Sequence, residues 1–224
     1  MTSGVANRGW IPYQSRLDLA FLRYRFVVFK NKASCPLKRL LVRCRGVERR
    51  ERMQMTYWVS AAIAQRGDSL LLVRELGESG EIGWSLPGGV IEEGEDPLAA
   101  LKREVKEETS LEVSEVLGLA YSVIYNRPEK NDRTCAFVFE VTTTGNIVAE
   151  ELDSDILEAK FIDLPLAITL LDDFPTRVMV EPAIAHLRNE TPPGTMWVYE
   201  VLEGQTRLIA RVAPHFRGSS VLPL

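Results

Sequence analysis

The stretch that most limits what this chain can become runs from Asp96 to Leu111, read together with the glycines just before it. Asp96 followed by Pro97 is a helix start. The aspartate can cap free N–H groups, and proline fits the first helical position, where no backbone hydrogen bond is lost. Leu98, Leu101 and Val105 recur at helical spacing and predict one apolar stripe on a helix over about 97–109. Glu104, Glu107 and Glu108 stand at i, i+3 and i+4, and are expected to project together on the other side. Like charges at that spacing repel by roughly a few tenths of a kcal/mol per pair, so something must offset them. A hard divalent cation suits the task, since it takes carboxylate oxygens and substrate phosphates together. The competing interpretation is an acidic face in water, the usual fate of a charge run. Pro87-Gly88-Gly89 and Glu95 favour the cation, because such glycines let backbone come close to a ligand or metal and Glu95 adds another acid.

These residues also carry a family resemblance. Gly89, Glu95, Arg103, Glu104, Val105, Glu107, Glu108, Ser110 and Leu111 fall at the spacings of the Nudix signature. Six of its seven fixed identities are present and both apolar positions are filled. At residue frequencies of roughly 6–7% each, such a match at one start point arises by chance on the order of once in ten million. The departure is Ser110, where the family has glycine. A glycine there suits a left-handed turn at the helix end, and serine costs about 1 kcal/mol if the turn is kept.

The resemblance implies an α/β fold, an α/β/α sandwich around a mixed β-sheet. It implies hydrolysis of a nucleoside diphosphate linked to another group, with Mg2+ or Mn2+ as cofactor. Glu104 and Glu108 are the expected metal ligands, joined by Glu107, which is either a third ligand or the base that positions water. Gly89 is expected to lend a backbone carbonyl or room for helix packing. Arg103 is expected to orient the carboxylates through a bidentate ion pair with Glu95. Glu150, Glu151, Asp153 and Asp155 form a reserve of acids from which a base could come. Tyr121, Tyr125, Arg127, Lys130 and Arg133 lie on or near an expected loop, and Tyr125, Arg127 and Arg133 are candidates for contacting a base or phosphate. Pro128 falls one residue from the place where some ADP-ribose hydrolases of the family carry a proline. A nucleotide-sensing regulator that binds without cleaving is the alternative, but box degeneration is expected of that class, and here every acid is intact.

The rest of the chain from residue 55 reads as strands around this helix. Trp58–Ala64 and Ser69–Arg74 flank a tight turn at Gly67, and Trp84–Leu86 is a short strand after a polar loop over 77–83. Residues 111–125 read as extended with a break near Gly118, 126–133 as a polar loop, 134–142 as a buried strand and 159–163 as a short one. A second helix is expected over 175–189 with Val178, Ile184 and Leu187 buried. A terminal hairpin follows around Glu203-Gly204. We take 55–190 as the domain and 191–224 as the hairpin and tail.

Charge divides the chain. Residues 1–54 hold 13 Lys and Arg against 3 Asp and Glu, a net of +10, while the remainder holds 14 against 28, a net of −14. The basic stretch reads as a nucleic-acid- or membrane-contacting arm, as a transit peptide, or as sequence upstream of a true start at Met53 or Met55. The last is favoured, because the break in composition coincides with Met55. Arg23 and Arg25 interrupt its best candidate for a membrane span. Cys35, Cys44 and Cys135 match no zinc spacing and point to a reducing, cytoplasmic setting. The acidic remainder repels long polyanions, so a small nucleotide is the expected partner, with nucleic acid disfavoured, no membrane, and a homodimer open. A chain begun at Met55 is expected to fold and hydrolyse as well as the full one; loss of soluble protein on that truncation contradicts the expectation.

Overall fold

A computed structural model describes residues 54–76, 82–148, 152–173 and 177–214. The basic N-terminal stretch, Glu150 and Glu151 lie outside them.

The sheet is built on β1 (Met55–Arg66) and β6 (Asp132–Thr144), which run parallel from Met55 beside Asp132 to Ala64 beside Val141. Val59–Ala64 is buried throughout, as a central strand covered on both faces must be. β5 (Glu112–Arg127) lies antiparallel to β6, and β8 (Thr195–Leu202) runs parallel to β5. β9 (Gln205–Val212) closes that edge. On the other side β2 (Ser69–Leu76) pairs with β1 at the turn end, and with β3 (Ile82–Ser85) and β7 (Ile156–Asp163). The short β4 (Gly88–Val90) pairs with Val59–Ala61 of β1.

Helices cover both faces. α1 (Pro97–Thr109) lays Leu101 and Val105 on Ala62, Ala64 and Leu71. α2 (Leu164–Asp172) and α3 (Arg177–Leu187) cover the opposite face, where Ala167, Leu171, Val178 and Ala183 meet Val59, Ala61, Tyr121 and Trp197. The architecture is a mixed sheet between helices, as expected. Small alanines on β1 let α1 approach closely, because side-chain bulk sets how near a helix lies to a sheet.

Several expectations are corrected. The loop placed over 126–133 is a hairpin: β5 continues to Arg127, β6 starts at Asp132, and the turn is held by Lys130 N–H to Arg127 O and Asn131 N–H to Pro128 O, both 3.1 Å. Leu98, assigned to the apolar stripe, is 41% exposed, and the buried face of the helix runs through Ala100, Leu101 and Val105 instead. α2 has no counterpart among the expected elements. Its segment is apolar at nearly every position, so no helical period stands out. The terminal hairpin is present as expected, β8 with β9, and it extends the sheet through β8 beside β5. The break near Gly118 appears as register irregularities within a continuous β5.

The start of α1 matches its sequence. Asp96 accepts from the N–H groups of Leu98 and Ala99 at 2.8 and 2.9 Å. Ser60 Oγ donates to Pro97 O at 2.7 Å and ties the helix to β1. At the other end Ser110 does take the left-handed conformation, φ 61°, with its N–H on Lys106 O at 2.8 Å. Its hydroxyl recovers part of the cost by donating to Val148 O at 3.1 Å. Ser110→Gly is therefore expected to stabilise the fold by at most about 1 kcal/mol, read as a modest rise in the urea midpoint with unchanged slope. A lower midpoint contradicts this balance.

Candidate active site

The site forms where α1 meets the Gly88-Gly89 strand. β4 needs glycine for steric reasons at both positions. A Cβ on Gly89 would stand 2.2 Å from the Glu104 carboxylate, and one on Gly88 would stand 2.5 Å from the Ser60 carbonyl and Ala61 Cα of β1. The first clash describes the site: Glu104, 5% exposed, fills the space a side chain at 89 would take.

Arg103 organises the carboxylates. Its Nε and Nη2 donate to the two oxygens of Glu95 at 2.8 and 2.9 Å, the expected bidentate pair. Nη1 donates to Glu104 at 2.7 Å and to Glu107 at 3.2 Å, and Nη2 also reaches Val90 O at 3.0 Å. One guanidinium thus offsets part of the repulsion for which the sequence suggested a cation, a fork geometry that lysine cannot copy. The ion pair holds Glu95 below the usual carboxylate range, and the same carboxylates push Arg103 further up.

Glu108 is placed differently. It accepts from Gly88 N–H at 2.9 Å. Burial raises its pKa well above the ordinary value, and the charges of Glu104, Glu75 and Asp153 add to the rise against the Gly88 hydrogen bond. Asp153 was among the reserve acids; its N–H donates to Glu107 O at 2.9 Å, which brings the segment before β7 onto α1. Glu75 was not anticipated. A register shift between Arg74 and Glu75 interrupts the β2–β7 pairing there, and Ser85 of β3 donates to Glu75 at 2.7 Å. Strand alternation puts Glu75 on the same face as Leu71 and Val73, and it is the packing of α1 on that face that brings it to the site.

Among the described residues no three His, Cys, Asp or Glu side chains are gathered so as to hold a metal ion as they stand. The donor chemistry still fits a hard divalent cation. A half-buried carboxyl whose ionisation is opposed by desolvation and by three other acids is a place where added positive charge lowers the energy.

Of the residues expected to contact a base or phosphate, Tyr125 and Arg127 lie together on one face of the sheet and Arg133 on the other. Tyr125 and Arg127 are buried strand residues rather than loop residues. Arg127 pairs with Asp132 through Nε at 2.6 Å and Nη2 at 2.8 Å, with its guanidinium 5.6 Å from the Tyr125 ring centre. Burial pushes the Tyr125 hydroxyl up to about 12. Arg133, opposite Asn126 in the ladder, donates to that side chain at 2.6 Å and alternates onto the other face of the sheet. Tyr121 is buried in the core, and Lys130 lies exposed in the hairpin turn.

A NUDIX domain model matches residues 56–180. A human 8-oxo-dGDP phosphatase, NUDT18, is 33% identical over 112 residues, 49% of this chain and 33% of that protein. An ADP-ribose pyrophosphatase of Methanocaldococcus jannaschii is 31% identical over 106 residues, 46% of this chain and 59% of that protein. The matched region therefore spans less than two thirds of either relative. Among solved structures, a NUDIX hydrolase from Nitrosomonas europaea aligns with a TM-score of 0.54 at 21% identity, covering 62% of this chain and 93% of that one. A MutT protein from Bacillus halodurans aligns at 0.52 and 19%, covering 70% and 96%. These likenesses agree in fold.

The raised pKa of Glu108 gives a prediction about the metal-free protein. A carboxyl raised on folding favours the fold while protonated, and this contribution fades as pH rises from the ordinary value of 4.5 through the folded one. Glu108→Gln removes that loss and can still accept from Gly88. In the presence of a chelator the variant is expected to melt above the wild type at pH 7, with the gap closing toward pH 4.5. A variant that melts lower at pH 7 contradicts the electrostatic account.

Proposed function

Because the chain belongs to the Nudix family, whose members typically use a divalent metal ion, we propose that it hydrolyses the diphosphate linkage of a nucleotide derivative by attack of water at phosphorus. The observation that supports this most directly is the pair Glu104 and Glu108, one helical turn apart, folded inward against Gly88 and Gly89 instead of facing solvent. An acidic pocket on its own repels a diphosphate. Glu104 and Glu108 would hold Mg2+ or Mn2+ there, and a bound ion supplies the positive charge and acidifies a water.

The chain's own residues complete the reading. Arg103, fixed on Glu95 by two hydrogen bonds, keeps Glu104 in one rotamer and steadies Glu107. Such support restricts carboxylate geometry and is a recurrent cost-saver in sites that must be preorganised. Glu107 is half-buried and more solvent-reached than Glu104, with 34% against 7% of its side chain exposed. That makes Glu107 the residue best placed to take the proton of the attacking water. Gly89 gives the clearance that lets Glu104 lie under β4.

For substrate, the relatives' names offer two kinds of small nucleotide, an oxidised deoxyguanosine diphosphate and ADP-ribose. The acidic charge of the chain after residue 54 favours such small molecules over capped or triphosphorylated RNA.

A panel of nucleoside di- and triphosphates, ADP-ribose and capped RNA, incubated with magnesium or manganese in water enriched in heavy oxygen, tests the proposal. Label is expected on a phosphate oxygen of the product. Glu107→Gln is expected to lower kcat by about 10²–10⁴-fold with the fold intact. Label on a sugar carbon, or wild-type turnover by that variant, removes the assignment.

A further inference from the structure

Past the N-terminal end of α1 the sheet carries an apolar band, and the strand register fixes its extent. Trp58, Cys135, Ile124, Val198 and Ala210 stand opposite one another across β1, β6, β5, β8 and β9. Ser60, Phe137, Ser122, Met196 and Val212 form the next row. Alternation puts both rows on the α1 side, since Ser60 bonds to Pro97 O, while the neighbours Val59, Val123, Ala136 and Trp197 point into the opposite core. Trp58, Phe137, Ile124, Met196, Val198 and Val212 belong to none of the packed clusters of the described residues. Trp58 and Val212, at the two ends, are 49% and 51% exposed. One strand position further out the face turns polar, with Thr56, Arg133, Asn126, Glu200 and Arg207 in a row. At the Trp58 end Glu92 and Glu93 line a pocket with Phe137 and Pro97. An apolar band with a polar border is the pattern of a face that is covered by something.

We propose that this band is the seat of the chain's own residues 1–54. Size, connection and charge each point to that occupant. Five strands at about 4.8 Å, by two side-chain rows about 7 Å apart, give a patch of roughly 300 Å². A stable pair of free molecules needs about 800 Å² on each partner, so a second copy is poorly served by this band. A tethered segment needs less, because its attachment already confines it near the surface. The connection is direct. β1 begins at Met55, and Thr56 and Trp58 stand on this face, so the preceding residues are delivered to the border of the band. Their composition fits it. Phe26-Val27-Val28-Phe29 and Leu40-Leu41-Val42 are apolar runs inside a stretch of net charge +10, while the rest of the chain carries −14. The runs suit the band, and lysines and arginines suit Glu92 and Glu93, which are exposed beside Trp58. The inference goes beyond the hydrolase reading and gives residues 1–54 a place on the molecule, in contrast to sequence upstream of a true start. Both main core clusters are built from residues after 54, so it remains compatible with folding from Met55.

The test uses the full chain and reads no activity, so its outcome is separate from that of the hydrolase assay. Brief trypsin digestion with mass spectrometry would time the first cuts at Arg43, Arg45, Arg49 and Arg50, in wild type and in the double change Trp58→Glu with Val212→Glu. Both positions are about half exposed, so the variant is expected to keep its fold, checked by circular dichroism and melting. Cutting that follows transient opening tracks the open population. The double variant is therefore expected to be cut about tenfold faster or more at these sites. Independently, Val212→Cys treated with a short bis-maleimide is expected to join the new thiol to Cys35 or Cys44 within one chain, and adding Trp58→Glu to suppress that product. Equal cutting of wild type and a folded double variant overturns the proposal. So does the absence of the cross-link within one chain. Cross-links only between chains, with a dimer in sedimentation that the double variant loses, assign the band to a second copy and overturn it too. Should the glutamate variant fail to fold, the Val212→Cys cross-link decides alone.

Discussion

Everything near the site depends on one steric and electrostatic fact: two glutamates of a single helix turn are folded in against a glycine strand. Glu104 occupies the volume a Cβ at residue 89 would need, and Glu108 accepts from Gly88 N–H. Turned inward, these carboxylates lose hydration and crowd one another, which is why Glu108 resists ionisation. A surface run of the same residues would cost little and do little.

The fold is arranged to keep that pair in place. Asp96 caps the helix, Ser60 fixes its first turn to β1, and Leu101 and Val105 anchor its middle on small alanines. Arg103 then spans Glu95, Val90, Glu104 and Glu107, so the loop before the helix and the helix itself share one guanidinium. A second layer comes from far along the chain, with Glu75 on β2 and Asp153 just before β7 close enough to act on Glu108. The field at the site is therefore made by three separate segments, though only one is recognisable as a motif. The described residues include no helix long and apolar enough to cross a membrane.

The two faces of the sheet are used unequally. On the face of α2 and α3, aromatic residues such as Tyr121, Trp197 and Tyr199 are fully taken up in the core. Arg127 is bound there to Asp132, in a buried pair whose removal by halves would strand a charge. On the α1 face the helix covers only part of the sheet, and Trp58, 49% exposed, is left beyond its N-terminal end.

By itself the sequence determined α1 with its aspartate cap and its proline, because those features depend on neighbours within a few positions, while the structure decided that Ser110 keeps the left-handed turn. The same holds for the turn at Gly67 and most strands, whose burial pattern is written in runs such as Ala61–Ala64. The Arg103–Glu95 pair was legible too, as both ends belong to one short motif. What only the tertiary structure decided was which distant groups meet. Glu75 reaches the site from the end of β2 because α1 packs on that face of the sheet, Tyr125 and Arg127 turn into the core because β5 runs on to the hairpin, and the terminal hairpin joins the sheet by pairing with a strand some seventy residues earlier. Helix signals are local and repeat every turn. Strand partners and sheet faces are set by long-range packing, and a shift of one residue reverses which way every side chain points.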